Sequence, residues 1–442
     1  MNRKVMYIRE PVLGTIRLSP LQEELLKTVE VQRLSFIHQL GTTFQSYPGA
    51  HCMRLAHAIG VSHLAGRIAS HLHDRYPDEY REEEWETRNL VEAAGLLHDI
   101  GHTPWSHTLE PLYLELTGGD HMDLVADMVT GKTTMPIKGS GRIPGILVRN
   151  GVDPKKVAAL ITGEFSGKPF IQQMIFGEVD ADMLDYLQRD FHFTGVAFGH
   201  IEVDRIISTM AIHQGRLVFL EKGLNAIRDF LLARLQMYSS VYLHRKTRIV
   251  DRMLLAAARR SVIDLTEIDN FMFMTDDQIL SFLENKSRDP WVREMAWRVK
   301  YRQGLFSQVF RIDSITTSEN DNHFLNSLRS GNSTPEQAAA MLTSEISRIS
   351  GVEPGYLIVD LPIEAVKVSE ERFERLDIRF VNKKGRVIPL DELDPPFAEY
   401  LMKAKPNSSL LTVSCAPEHK EKVAEACREI FENAAEPLFG KS

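Results

Sequence analysis

Cysteine is scarce in this chain: Cys52, Cys415 and Cys427 are the 3 among 442 residues. So few, so widely spaced, argue against a disulfide framework and fit a reducing compartment. Long apolar runs are missing as well. No stretch approaches the roughly 18 residues of a transmembrane helix, and the opening MNRKVMYIREPVLG lacks a signal-like apolar segment. The expectation is a cytoplasmic protein with no membrane partner. There is also no basic excess, since Lys and Arg total 52 against 60 Asp and Glu, for a net charge of −8. That argues against a main role in coating nucleic acid. It leaves room for a nucleotide substrate, which needs only a few local cations or metal ions. Internal repeats and low-complexity segments are absent too.

What is present suits a globular fold: 43% hydrophobic and 25% charged residues. At about 100–200 residues per domain, the length implies two or three domains. Residues 1–20 carry turn and extended signals from Pro11, Gly14 and Pro20. Apolar spacing predicts helices over 19–40, 50–73, 84–97, 121–130, 153–162, 168–176 and 178–190. Alternation around Gln214-Gly215 predicts a β-hairpin over 209–221, and a long helix is expected over 224–259. Residues 314–336 are rich in Ser, Thr, Asn, Asp and Gly and read as a join. Strand-like runs follow at 356–361, 376–381, 386–390 and 410–413, then an amphipathic helix over 417–433. The expectation is mainly α: a helical core over 1–310 with a small β-hairpin, followed by a smaller α+β region over 311–442.

The chemistry-bearing residues gather after an apolar helix. Leu97-His98-Asp99-Ile100-Gly101-His102 is followed by Pro104, Ser106 and His107. Adjacent helical side chains diverge by about 100°, but at a fraying helix end before a glycine both His98 and Asp99 can turn to one ion. The doublet alone is weak, and the chain supplies its own control. His73-Asp74 is also a His-Asp pair, in the charged run HLHDRYPDEYREEE, and reads as surface. Three histidines and an aspartate within ten residues at 98–107 favour metal or acid–base work. His57 sits in an apolar helix, where a lone histidine is more often a core residue. Asp182, Tyr186 and Asp190 are spaced i, i+4, i+8, one helical stripe beside the expected core residues Val179, Met183 and Leu187. An exposed acidic face is the plainer reading of that stripe.

Taken together, ArgLeuAlaHisAlaIleGlyVal (54–61), GlyLeuLeuHisAspIleGlyHisThrProTrpSerHis (95–107) and ValAspAlaAspMetLeuAspTyrLeuGlnArgAsp (179–190) resemble the HD-domain phosphohydrolases, in particular the deoxynucleoside triphosphate triphosphohydrolase branch that includes the SAM-and-HD-domain protein. The likeness is strong over about residues 19–260 and looser through 355–362 and 384–390. It implies an HD-domain helical core with His57, His98, Asp99 and Asp182 as metal ligands. Two imidazoles and two carboxylates suit one divalent transition metal (Fe, Mn, Ni or Zn) better than Mg²⁺ alone, with additional Mg²⁺ on a triphosphate compatible. The resemblance makes His121 the catalytic histidine and Glu110 the carboxylate that orients it, with His102 and His107 as further active-site histidines. Met122 stands where the family commonly has Glu. Read alone, His121 is a loop or cap neighbour.

By the same resemblance Gln39 and Leu40 contact the sugar and exclude a 2′-hydroxyl. Arg54 contacts the nucleotide, while Tyr186 and Asp190 take the deoxyribose and its 3′-hydroxyl. Arg234, Tyr238, Tyr242 and Arg245, spaced as one helical face, contact phosphate and sugar. A surface basic helix including Lys246, Arg248 and Arg252 is the plainer alternative. The family's guanine-nucleotide regulatory segments read here Lys27-Thr28-Val29 and Gln32-Arg33-Leu34-Ser35, without the aspartate and second arginine. That argues against guanine-specific activation and leaves Gln32 and Arg33 for another regulatory nucleotide. A homo-oligomer, dimer or tetramer, is implied. The expected activity is metal-dependent hydrolysis of dNTPs to deoxynucleoside and triphosphate. The alternatives are an HD phosphohydrolase acting on another nucleotide or phosphodiester, or a nucleotide-binding regulator with a vestigial site. The Gly-Tyr-Pro signature of one HD subclass and the acidic pair of the alarmone hydrolases are both missing.

Overall fold

A computed structural model describes residues 5–80, 84–198, 201–262, 271–313, 334–361, 377–404 and 409–432. They group into two compact units: residues 1–237, 265–279 and 376–399 in the first, and 238–264, 280–375 and 400–442 in the second. Residues beyond 311 thus contribute to both. The described residues are mainly helical with small sheets, the expected class. No helix among them is long and apolar enough to cross a membrane.

The first unit opens with a hairpin, Tyr7–Glu10 against Gly14–Arg17. The helical run expected over 19–40 is broken into Pro20–Leu26, Val29–Arg33 and a 3₁₀ turn at Leu34–Phe36. Ser19 starts the first piece with a capping box to Gln22, which satisfies two orphan amides at the helix start. Helix Arg54–Arg75 packs along Glu84–Leu97. Small residues set that approach: a Cβ on Gly95 would lie 3.0 Å from the Ser62 backbone. Helix Ala181–Thr194 crosses Arg54–Arg75 at Gly60, where a Cβ would come within 1.9 Å of Asp185 Oδ1. The hairpin Met210–His213/Arg216–Leu220 turns on Gln214 and Gly215, both at positive φ, as the turn chemistry predicts. Strand Arg379–Val381 adds to it in parallel and Val387–Pro389 extends the sheet. Arg228 pairs with Asp394, fastening this late segment to the same unit.

The helix expected over 224–259 is interrupted. Leu224–Met237 passes into a π-helical turn, Tyr238–Tyr242, and helix Arg245–Arg260 begins anew. Wider helical turns shift the angular register, so Arg234, Tyr238, Tyr242 and Arg245 do not line one continuous α-helical face.

The second unit holds a three-stranded antiparallel sheet in the order Ser307–Asp313, Ser409–Cys415, Leu357–Asp360. Helices Pro335–Ser350 and Lys420–Glu432 pack on it through Leu342, Ile346, Val413 and Val423. Helix Pro335–Ser350 was not expected from its sequence, although Thr334-Pro335-Glu336-Gln337 spells a capping box with proline at the first position. Residues 314–333 of the expected join, positions 376 and 433 of the expected elements, and position 362 of the looser likeness lie outside the described residues.

Arg248 and Arg252 do not form a free basic face. Arg248 donates to both oxygens of buried Asp360 at 2.7 and 2.9 Å, and Arg252 to one at 2.9 Å. Burial alone would raise the Asp360 pKa, but the two guanidiniums outweigh it and hold the carboxyl below its ordinary range. The sign follows from linkage: stability from this cluster is complete above the unfolded carboxylate pKa, about 3.9, and is lost as pH falls through the lower folded value. Asp360→Asn should therefore cost about 3–5 kcal/mol at neutral pH, as expected when one partner of a buried ion pair is removed. Urea unfolding should show that loss at pH 7 and a smaller difference from the native chain near pH 3.

Candidate metal centre

Three helices of the first unit bring the expected ligands together. His57 projects from the first turn of Arg54–Arg75, His98 and Asp99 follow the end of Glu84–Leu97, and Asp182 lies in the first turn of Ala181–Thr194. The His57 and His98 Nε2 atoms are 3.2 Å apart. Asp182 Oδ1 is 3.0 Å from His57 Nε2 and 3.8 Å from His98 Nε2, and Asp99 Oδ1 is 3.2 Å from His98 Nε2. The opposite ring nitrogens are already committed. His57 Nδ1 donates to Asp185 Oδ2 at 2.7 Å, and His98 Nδ1 donates to the Gly95 carbonyl at 2.8 Å. With Nδ1 protonated in both rings, two neutral imidazoles would face each other lone pair to lone pair. A cation at their meeting point removes that conflict, and outer hydrogen bonds of this kind are how proteins fix metal-ligating imidazoles. The residues fit a divalent ion with mixed nitrogen and oxygen donors.

The electrostatics agree. Burial works against a charged His57, but hydrogen bonds with Asp182 and Asp185 outweigh it and lift its pKa to about 10. The pocket calls for positive charge, from a proton or from a metal. Asp99 is also buried, yet Arg54, His98 and His102 hold it well below its usual value.

Asp185 was missed by sequence reading. It is fully buried, accepts from His57 and forms a two-oxygen pair with Arg189 at 2.8 Å through each oxygen, while Arg189 also reaches Glu10. The signal was there, an Asp and an Arg at i, i+4 within the quoted motif. The stripe Asp182, Tyr186, Asp190 drew attention instead. Val179 and Leu187 are buried as expected, whereas Met183 is only partly so.

A second cluster adjoins the first. His102 Nε2 donates to Asp99 Oδ1 at 3.2 Å. Its ring stacks on His121, with centroids 3.9 Å and planes 19° apart. Glu110 accepts from His121 Nδ1 with one oxygen and from His107 Nδ1, at 2.6 Å, with the other. Burial would raise the Glu110 pKa, but the two histidines outweigh it and keep it ionised. Burial, with Arg54 and His121 nearby, drives the His102 pKa well down, so this ring is neutral. His102, His107 and His121 each place a nitrogen within 4.8 Å of the others. Stacked, nearly parallel rings cannot aim in-plane lone pairs at one ion about 2.0 Å away, so this arrangement suits proton transfer rather than metal binding. His121 stands at the first position of helix His121–Thr130, capped by Asp120, and Met122 spends its amide on that cap. Gly101 makes room for it, since a Cβ there would lie 2.4 Å from the His121 carbonyl.

The remaining candidates divide. Arg54 is buried and donates to Asp99 at 2.7 Å and to Ser106 Oγ at 2.7 Å, so it braces one of the expected ligands, Asp99. Tyr186 and Asp190 follow Asp182 on the same helix, Tyr186 half-buried and Asp190 buried. Gln39 and Leu40 are half-buried, with the Gln39 amide bonded to the Cys52 carbonyl. Arg234 is buried and its charge bears on Asp180, the cap of the Asp182 helix. Tyr238, Tyr242 and Arg245 belong to the second unit. The control pair behaves as expected: His73 and Asp74 are 3.6 Å apart, and Asp74 is 82% exposed. Arg33, a candidate for a regulatory nucleotide, is instead spent on backbone carbonyls of Phe273, His102, Met272 and Met274. Burial lowers its pKa to about 10, which leaves it charged at neutral pH.

Comparison with known proteins places this geometry. A family model described as the HD domain matches residues 54–166, and one described as the HD associated region matches 201–437, more than half of the chain. The chain belongs to the HD-domain phosphohydrolase superfamily, whose members are metal-dependent hydrolases. It is 29% identical to the uncharacterized protein YwfO of Bacillus subtilis over 82% of each chain. It is 25% identical to the human deoxynucleoside triphosphate triphosphohydrolase SAMHD1, over 68% of this chain and 54% of that protein. A crystal structure of a phosphohydrolase from Bacteroides thetaiotaomicron superposes with a TM-score of 0.69 at 24% identity, covering 94% of this chain and all of the other. That likeness is one of fold.

If Asp185 sets the tautomer of His57, Asp185→Asn should weaken Mn²⁺ binding by about 10–100-fold, read by titration calorimetry. His73→Ala, at the control pair, should leave it unchanged.

Proposed function

We propose that the chain hydrolyses deoxynucleoside triphosphates to deoxynucleoside and triphosphate. The observation that carries this reading is the junction of the two clusters: an imidazole–carboxylate pair, His121 with Glu110, stacked on a neutral histidine that is bonded to the ligand Asp99. A group that can give up a proton thus stands beside a centre that favours an ion, the pairing that phosphoester hydrolysis needs. The likeness to proteins named as deoxynucleoside triphosphate triphosphohydrolases supports the choice of substrate.

His57, His98, Asp99 and Asp182 would hold a divalent ion, which when bound supplies Lewis-acid polarisation and activation of water. The protein's own groups do the rest. Water adds its oxygen to the α-phosphorus and releases one proton to solvent, the bond from phosphorus to the 5′ oxygen breaks, His121 gives its proton to that leaving oxygen, and the ring then recovers a proton from solvent. Glu110 holds the His121 ring by Nδ1, so Nε2 faces the substrate. The solvent-facing His107 bonds a phosphate oxygen, while neutral His102, its one N–H spent on Asp99, backs the His121 ring by stacking. Tyr186 packs against the deoxyribose, Asp190 takes its 3′-hydroxyl, and Gln39 and Leu40 close the space a 2′-hydroxyl would need. Arg54 acts through Asp99. Arg234, in the same unit, is assigned to phosphate contacts, with Mg²⁺ on the triphosphate.

The test is product analysis. Purified protein with Mn²⁺ should release triphosphate from dNTPs and not from rNTPs; pyrophosphate or monophosphate as the product would sink the reading. His121→Ala should lower kcat by about 10²–10⁴-fold, the usual worth of a positioned acid, while metal content by elemental analysis stays at the native value. Asp182→Ala should lose both metal and turnover.

A further inference from the structure

The segment His102–Ser106 connects the ligand pair to the acid–base histidines, and its backbone is strained. Trp105 and Ser106 both adopt left-handed φ, 59° and 55°. Left-handed φ is unfavourable for a non-glycine residue, so other contacts must hold the turn. Those contacts come from a stretch about 170 residues further along the chain within the same unit. Asp276 is buried. Its Oδ1 accepts from the Trp105 amide at 2.6 Å, and its Oδ2 accepts from the His38 amide at 2.8 Å and from His38 Nδ1 at 2.7 Å. The His38 ring lies parallel to Trp105, 1° between planes. The His38 carbonyl accepts from Ser106 Oγ at 2.5 Å, and Ser106 Oγ accepts from Arg54 Nε, whose NH1 holds Asp99. At the other end of the turn, Arg33 NH1 donates to the His102 carbonyl at 2.8 Å while its remaining nitrogens bind the carbonyls of Met272, Phe273 and Met274.

We infer that Asp276 and Arg33 are positioning residues that clamp the left-handed turn of His102–Ser106 and so set the place of His102 and His107 relative to Asp99. Neither touches the reacting atoms. Asp276 fixes the middle of the turn by its amide, Arg33 fixes the entry by its carbonyl, and the 272–276 stretch is the common anchor. The chemistry of Asp276 is specific, since three donors converge on its two oxygens. An asparagine there would turn a donor toward a donor at one of these contacts, at nearly unchanged volume. A lysine at position 33 keeps the charge but loses the planar fork that reaches carbonyls in several directions. The inference rests on the hydrolase reading above for its kinetic consequence, and on the geometry alone for its structural one.

The experiment compares the native full-length chain, Asp276→Asn and Arg33→Lys. It measures dATP and dGTP turnover, metal content after loading with Mn²⁺, and amide hydrogen exchange of peptides covering residues 102–109. The expected result in both variants is a kcat lowered about 10–100-fold, as a displacement near 1 Å produces, with KM within about threefold by the same reasoning. Metal stoichiometry should be native, and exchange should be faster at 102–109 but unchanged in helix Arg54–Arg75. Should Asp276→Asn fail to fold, Arg33→Lys decides. Native kcat, loss of metal in proportion to kcat, or unaltered exchange at 102–109 each overturns the inference. If the native chain releases no triphosphate from any nucleotide, the function reading fails, and the exchange measurement alone settles the clamp.

Discussion

Two imidazole nitrogens held 3.2 Å apart, each with its far side already hydrogen bonded, are the constraint around which the first unit is organised. Neutral rings would repel at that distance, so the fold must supply both the approach and the charge that makes it tolerable. The approach comes from backbone economy. Gly60 admits the Asp185 carboxylate, and Gly95 lets the helix that ends in His98 lie against the one that begins with His57. The charge comes from three carboxylates around the His57 ring, Asp99 and Asp182 on its Nε2 side and Asp185 on its Nδ1 side.

Three carboxylates in a buried place would be untenable without compensation. The structure distributes the load unevenly. Asp185 is neutralised internally by Arg189, which is tied in turn to Glu10 of the opening hairpin. Asp99 leans on Arg54. Asp182 is 37% exposed in its side chain, against 0% for Asp185, and has no arginine partner among the described contacts. The carboxylate left most open is thus the one that faces the imidazole nitrogens from the solvent side. An ion arriving there meets a site whose outer carboxylates are already balanced and whose inner face is still negative.

Much of this was legible in the residues. Apolar spacing found the helices that carry His57, His98 and Asp182, and the Gln214-Gly215 pair marked its hairpin. The acid–base cluster was less visible. Nothing in the order Glu110, His121 says that one carboxylate would bridge two rings, because that depends on the turn between them. Asp185 and Arg189 were overlooked because a salt-bridged pair on a helix reads as surface, and only packing against Gly60 makes it core. Asp276 and the carbonyls around Arg33 could not be found at all from local pattern, as the contacts span about 240 residues. Arg33 looked available for phosphate for the same reason. The π-helical turn at Tyr238–Tyr242 escaped because its residues keep an ordinary helical composition.

Gly101 carries a consequence of its own. Where other residues have a methylene, the carbonyl of His121 occupies the space. The segment after His98 and Asp99 and the start of the His121 helix therefore meet main chain on main chain. Such a contact has no rotamers to explore and no stem to bend. It acts as a fixed gauge, with backbone alone setting the span between the two ends. Under the proposed hydrolase reading, the distance from His98 and Asp99 to His121 is set by backbone and not by the choice of a side-chain rotamer.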